Sequence, residues 1–87
     1  MVYRFELLPP ALRQLEKLDT ATRQIILRKL EWLAMRSDPL KFCRRLQRSK
    51  IGDVRFRIGN YRAIAIIREN TIGILKIAHR REVYRDG

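Results

Sequence analysis

Acidic residues are scarce in this chain. Nine Asp and Glu stand against twenty Lys and Arg, leaving 87 residues with a formal charge of +11. That surplus is clustered, so it does more than keep the protein soluble. It makes polyanions the natural partners: nucleic acid, an acidic protein or an anionic membrane surface. Cysteine is nearly absent. Cys43 stands alone, which excludes an intrachain disulfide and fits a reducing, cytoplasmic compartment. One Cys and one His, His79, fall short of the ligands a zinc site takes. No apolar run approaches the roughly 20 residues of a membrane span, and MVYRFELLPP lacks the apolar core of a signal peptide. Low hydrophobicity is also missing. At 46% hydrophobic residues, the chain is too apolar for a disordered segment, and its length predicts one domain over residues 1–87.

The residues that are present fall into clear periods. VYRFELL (2–8) sets Tyr3, Phe5 and Leu7 against Val2, Arg4 and Glu6, the alternation of a strand with one apolar face. Pro9 and Pro10 end it and suit the first turn of a helix. Leu12, Leu15 and Leu18 follow at helical spacing. Asp19 or Thr20 caps a second helix. It runs from Ala21 to Arg36, with Ile26, Leu30 and Leu33 on one face and Trp32 at its edge. The helices are joined by almost nothing, so they form an antiparallel pair, and Ser37-Asp38-Pro39 stops the second. Residues 40–52, LKFCRRLQRSKIG, read as an irregular cationic connection. Leu40, Phe42 and Leu46 anchor it, and Lys41, Arg44, Arg45, Arg48 and Lys50 stay solvated. Three strands follow, turned by Gly59-Asn60 and by Glu69-Asn70. The predicted class is α+β: an N-terminal strand, an antiparallel two-helix hairpin, then a three-stranded meander. The helices pack on one face of a four-stranded antiparallel sheet.

The Gly59-Asn60 turn fixes a register. It sets Ile58 opposite Tyr61, Arg57 opposite Arg62, Phe56 opposite Ala63 and Arg55 opposite Ile64. Val54, Phe56, Ile58, Tyr61, Ala63, Ala65 and Ile67 then form a core face, and Arg55, Arg57 and Arg62 gather on the other. Like charges directly opposed across a sheet are destabilising. Two readings account for the pair: an anion normally occupies the gap, or the charges solvate a strand face and discourage edge pairing. Arg62 faces away from the core, so replacing it is expected to leave the fold intact. In the last strand, a plain two-residue loop at Glu69-Asn70 would aim Lys76 and Arg80 at the helices. Unpaired buried cations are expensive, so a longer loop or a bulge is expected to turn both toward the arginines. His79, Arg81 and Tyr84 arrive on the tail.

An N-terminal strand, two helices, a cationic loop, V-R-F-R-I-G-N-Y-R and then I-L-K-I-A-H-R-R-E-V-Y resemble the RelE branch of the RelE/ParE toxin superfamily over nearly the whole chain. The resemblance implies a RelE-like, microbial-ribonuclease-like fold and the role of toxin in a type II toxin–antitoxin pair. It implies an endoribonuclease that cuts mRNA in the ribosomal A site with neither metal nor cofactor. The basic strand positions match Arg55 and Arg57. The arginine after the hairpin turn matches Arg62, the C-terminal arginine matches Arg80, and the tyrosine matches Tyr84. Arg44, Arg45, Arg48, Lys50, His79 and Arg81 complete the candidate RNA-contacting set. The implied partners are an acidic antitoxin like RelB, the ribosome and its mRNA, and operator DNA through the antitoxin only, with no membrane.

These residues suit in-line attack by the RNA 2′-OH on its own phosphate. Arg55, Arg57 and Arg62 would stabilise charge on phosphorus. Tyr84 is the candidate base; its phenol, ordinarily near pKa 10, is favoured as phenolate by surrounding positive charge. Arg80 would assist the leaving oxygen electrostatically, since guanidinium rarely gives up a proton. His79 ranks second as a proton carrier. Two rivals stand beside this reading, with a degraded toxin that folds but no longer cuts as a third possibility. A ParE-like gyrase poison shares the fold but usually lacks the tail arginine and tyrosine, and a non-catalytic nucleic-acid-binding module would need only the charge.

Overall fold

Strand β1 (Arg4–Leu7) alternates exposed and half-buried residues up to the double proline. In this computed structural model, which describes residues 2–47 and 49–82, Pro9 and Pro10 open helix α1 (Pro9–Glu16). Their missing N–H groups would have had no intrahelical acceptor there. Helix α2 (Thr20–Ala34) begins at Asp19, whose carboxylate accepts the Thr22 amide at 3.1 Å and the Thr22 hydroxyl at 2.6 Å. Those two bonds, the hydroxyl first, hold the Asp19 carboxyl below its ordinary pKa. Arg23 ties the helices together. Its Nε donates to Leu15 O at 3.1 Å and its Nη2 to Leu18 O at 2.9 Å, bonding carbonyls at and just beyond the end of α1.

The segment expected to be irregular is partly ordered. A 3-10 turn over Pro39–Phe42 leads into a short strand, β2 (Cys43–Arg45). Strands β3 (Val54–Ile58), β4 (Tyr61–Arg68) and β5 (Thr71–His79) then form the meander. Among the described residues the sheet therefore has five strands in the order β1-β5-β4-β3-β2, and it is mixed, with β1 parallel to β5. This corrects the expectation of four antiparallel strands, and the reason is topological. The antiparallel helix pair leads the chain into a strand that runs opposite to β1. A three-strand meander from there would finish antiparallel to β1. The additional strand β2 reverses the chain once more, so β5 runs alongside β1 in the same direction.

The hairpin register is the one its turn dictates. Ile58 pairs with Tyr61, Arg57 with Arg62, Phe56 with Ala63 and Arg55 with Ile64. Gly59 takes φ +59° in the turn, a conformation glycine adopts without steric cost. One sheet face meets the helices. Ala11 and Leu15 of α1, with Ile26, Leu30 and Leu33 of α2, bury against Val54, Phe56, Ile58, Ala63, Ala65, Ile72, Ile74 and Ile77. Phe5 and Phe56 tilt against each other at 5.7 Å. Leu12 is 42% exposed and Ala11 takes its place in the core. With Pro9 and Pro10 setting where α1 starts, Ala11 and Leu15 are four residues apart and share its inner face.

Candidate nucleic-acid interface

The opposite face of the sheet carries the cations, and a bulge decides which ones. Arg68 pairs with Thr71 across the two-residue turn, and the ladder is regular as far as Ala65 and Ile74. It then skips Leu75, so that Ile64 pairs with Lys76, Ala63 with Ile77, Arg62 with Ala78 and Tyr61 with His79. Paired residues of antiparallel strands share a face. The extra residue therefore turns Lys76 outward and sends Ile77, 4% exposed, into the core. Without it, Lys76 would lie against Ala63 beneath the helices, an unpaired buried cation.

The outer face is thus built in rows. Arg44 of β2 lies beside Arg55, Arg55 beside Ile64, and Ile64 beside Lys76. The next row is Arg57, Arg62 and Ala78. Arg80 follows the end of β5 where the chain turns helical over residues 80–82, with its amide held by Asn60 O at 2.8 Å, and its side chain is exposed. Side-chain alternation brings Arg44, Arg55, Arg57, Arg62 and Lys76 to one side of the sheet.

Arg62 departs from expectation. Only 6% of it is exposed, and its Nη1 donates to Gly59 O at 3.0 Å and Tyr61 O at 2.9 Å. The head group curls back over the hairpin turn, where the carbonyl dipoles offset the repulsion from Arg57. Arg62 is therefore structural as well as cationic. These bonds use one nitrogen of a guanidinium that also carries N–H groups on Nε and Nη2.

A second, smaller apolar cluster flanks the cations. Ile64 and Ala78 are buried on the outer face beneath Leu46 and Ile51. Leu46 and Ile51, from the connection between β2 and β3, are laid over the sheet. Gly52 makes this possible: a Cβ there would lie 2.5 Å from Ile64 Cγ2 and 3.1 Å from the Ala65 carbonyl. Asp53 then locks the return, with its amide on Ala65 O and its Oδ2 accepting the Ile67 amide at 2.9 Å. In the sequence the signals for this wall were Leu46, expected to anchor the connection, and the glycine just before β3.

The other candidates divide. Arg45 pairs with buried Val54 and so alternates away from the arginine face, though at an exposed edge. Lys50 and Arg81 are exposed. His79 lies on the helix side, edge-on to Tyr61 at 5.4 Å, and its Nδ1 accepts the Arg81 amide at 3.3 Å. The bulge that turns Lys76 outward turns His79 inward by the same alternation, so His79 does not join the arginines as the RNA-binding set had it. Arg48 and Tyr84 lie outside the described residues. Cys43 donates to Leu40 O at 3.2 Å, and burial raises its thiol pKa above the ordinary value. Among the described residues no group of His, Cys, Asp and Glu could hold a metal ion, and no helix is long and apolar enough to cross a membrane.

Comparison with known proteins agrees with this fold. Residues 5–84 match a family model described as the ParE toxin of the parDE type II toxin–antitoxin system. Among solved structures, the toxin–antitoxin complex RelBE2 from Mycobacterium tuberculosis contains a chain 28% identical to this one. It superposes with a TM-score of 0.69 over 92% of this chain and 100% of that one. The archaeal RelE–RelB complex from Pyrococcus horikoshii OT3 is likewise 28% identical, with a TM-score of 0.69 over 92% and 97%. No curated protein matches the chain.

Proposed function

The chain belongs to the ParE toxin family of type II toxin–antitoxin systems, on the RelE branch of the RelE/ParE superfamily, and from that footing we propose that it is a ribosome-dependent endoribonuclease. It cuts mRNA in the A site and halts translation in the cytoplasm. An acidic antitoxin holds it in check, and operator DNA is reached only through that partner. The observation that carries the reading is the row Arg57–Arg62–Ala78 with Arg55 and Lys76 beside it. It concentrates cations on one sheet face and fixes one of them, Arg62, in a rigid hairpin.

The proposed step is transesterification within the RNA. The 2′-oxygen loses its proton, forms a bond to phosphorus, and the bond from phosphorus to the 5′-oxygen breaks. The 5′-oxygen leaves as an alkoxide that takes a proton from water to become the 5′-hydroxyl, and the other product is a 2′,3′-cyclic phosphate. Arg55, Arg57 and Arg62 supply the positive charge that the crowded phosphate needs, in place of a metal ion. Tyr84 takes the 2′ proton and Arg80 stabilises the departing oxygen. The ribosome supplies orientation worth several kcal/mol, which accounts for little activity expected on free RNA.

Programmed ribosomes carrying a defined A-site codon provide the test. Cleavage at that codon leaving a cyclic or 3′-phosphate, reduced about 10²–10³-fold by Arg57→Ala, is the expected result. The family model's ParE description favours a second reading, inhibition of gyrase. Gyrase-dependent DNA breaks with no mRNA cleavage would establish that instead.

A further inference from the structure

Helix α1 places a polar residue on its inner side. Ala11 and Leu15 bury there against the sheet, with Leu18 packed beside them. Gln14, three residues after Ala11 and four before Leu18, shares that side and is half-buried. Its Oε1 accepts the Ile77 amide at 2.7 Å, joining residues 63 positions apart. The strand order explains why β5 takes an acceptor from a helix. β5 lies between β1 and β4. Its ladder with β1 ends at Leu7 and Ile74, and the Leu8 amide adds one bond to Ile74 O at 2.9 Å. Pro9 then opens α1 and takes the chain out of the sheet. Ile77 lies three residues beyond Ile74, past the reach of β1, and Gln14 supplies the carbonyl that a longer β1 would have offered.

The place of this bond matters for the opposite face of the sheet. Ile77 follows Lys76 directly, just after the bulge at Leu75. It is 4% exposed, and a buried amide without an acceptor is costly. With an apolar side chain at position 14, β5 could satisfy that amide only by shifting its backbone toward water. Adjacent side chains alternate across a strand, so a shift at Ile77 re-aims Lys76. We propose that Gln14 is a positioning residue for the cationic face. It holds β5 just past the bulge and so keeps Lys76 in the row of Arg44 and Arg55, where it meets RNA phosphate. Gln14 itself touches no RNA, because the helices lie on the other side of the sheet. The inference rests on the reading of the outer face as RNA-contacting and is independent of cleavage.

The probe is a short single-stranded RNA, 2′-O-methylated throughout, which binds but has no 2′-hydroxyl to attack its own phosphate. Its affinity is measured over a range of salt. Each phosphate contact on a single strand contributes about 0.7 to the slope of log affinity against log salt. Gln14→Met removes the acceptor without changing the charge and should lower that slope by about 0.7, as Lys76→Met does. Gln14→Glu keeps an oxygen for the Ile77 amide and should restore the wild-type slope, although charge alone would rank it below Gln14→Met. In a Lys76→Met background, Gln14→Met should change nothing further. Gln14→Ala, which lets water reach the amide, is expected to give the same loss and serves if the Met variant does not fold. An unchanged slope in the folded Met or Ala variant would overturn the proposal. So would a Glu variant no better than Met, a Lys76→Met variant with the wild-type slope, or losses at the two positions that add. Ribosomes on which the wild-type chain cuts no mRNA would refute the nuclease reading and leave these slopes as they are.

Discussion

Arg57 and Arg62 sit directly opposite each other across the β3–β4 hairpin, and their environments are opposite too. Arg57 is exposed, while Arg62 is 6% exposed with its Nη1 held by the Gly59 and Tyr61 carbonyls. The sheet does not leave two equivalent charges in repulsion. It builds one guanidinium into the turn and leaves the other in solvent.

The two arginines should therefore respond differently to removal. Arg62→Ala strands two turn carbonyls and is expected to cost about 1.5–3 kcal/mol, the worth of a hydrogen bond to a charged group, along with cleavage. Arg57→Ala removes a like charge from an exposed site and should leave the melting temperature unchanged or slightly higher. Paired thermal melts check this; equal melts would show that the turn does not depend on Arg62.

Gly52→Ala places a methyl 2.5 Å from Ile64 Cγ2. Ile64 is β-branched and fully buried in a strand, so it has little room to yield. A loss of about 1–3 kcal/mol is expected. Ile64→Ala removes the colliding methyl, so the double variant should lose less than the sum of the two single losses in a double-mutant cycle.

Leu30→Ala empties a core position 5% exposed, on the side of the sheet away from the arginines. The expected loss is about 2–5 kcal/mol, with the activity of the remaining folded fraction intact. Denaturant titration alongside an activity assay separates the two effects.

The Asp19 carboxylate, held down in pKa by its bonds to Thr22, contributes stability above the pKa it has when unfolded. That contribution disappears as pH falls through the lower folded value. Asp19→Ala should therefore lower stability at neutral pH and flatten the acid limb of the stability curve. Melts between pH 2 and pH 7 read both, and an unchanged limb would remove Asp19 from the capping role.

Cys43 carries a thiol whose pKa burial has raised. Because the thiolate is the reactive form, labelling by a thiol reagent should be slower than for a solvent-exposed cysteine and should accelerate as pH rises. Rapid labelling at neutral pH would contradict the placement.

Much of the fold was legible because it rests on local periods. Ile26, Leu30 and Leu33 repeat at helical spacing and reach the core. Strand alternation and a two-residue turn fixed Arg55, Arg57 and Arg62 on one face. The bulge that brings out Lys76 was inferable from the cost of burying an ammonium, and His79 on the helix side follows once that bulge is granted. β2 was hidden because CRR has no period at three residues and only pairing with β3 makes it a strand.

The amino-acid order alone determined the helix pair, the hairpin register and the separation of apolar from cationic strand faces, because each depends on neighbours a few residues apart. Tertiary structure decided the parallel seating of β1 on β5, the folding of Leu46 and Ile51 over Ile64, and the burial of the Arg62 head in the turn. Those depend on contacts between distant segments, whose free energy exists only once the sheet has assembled.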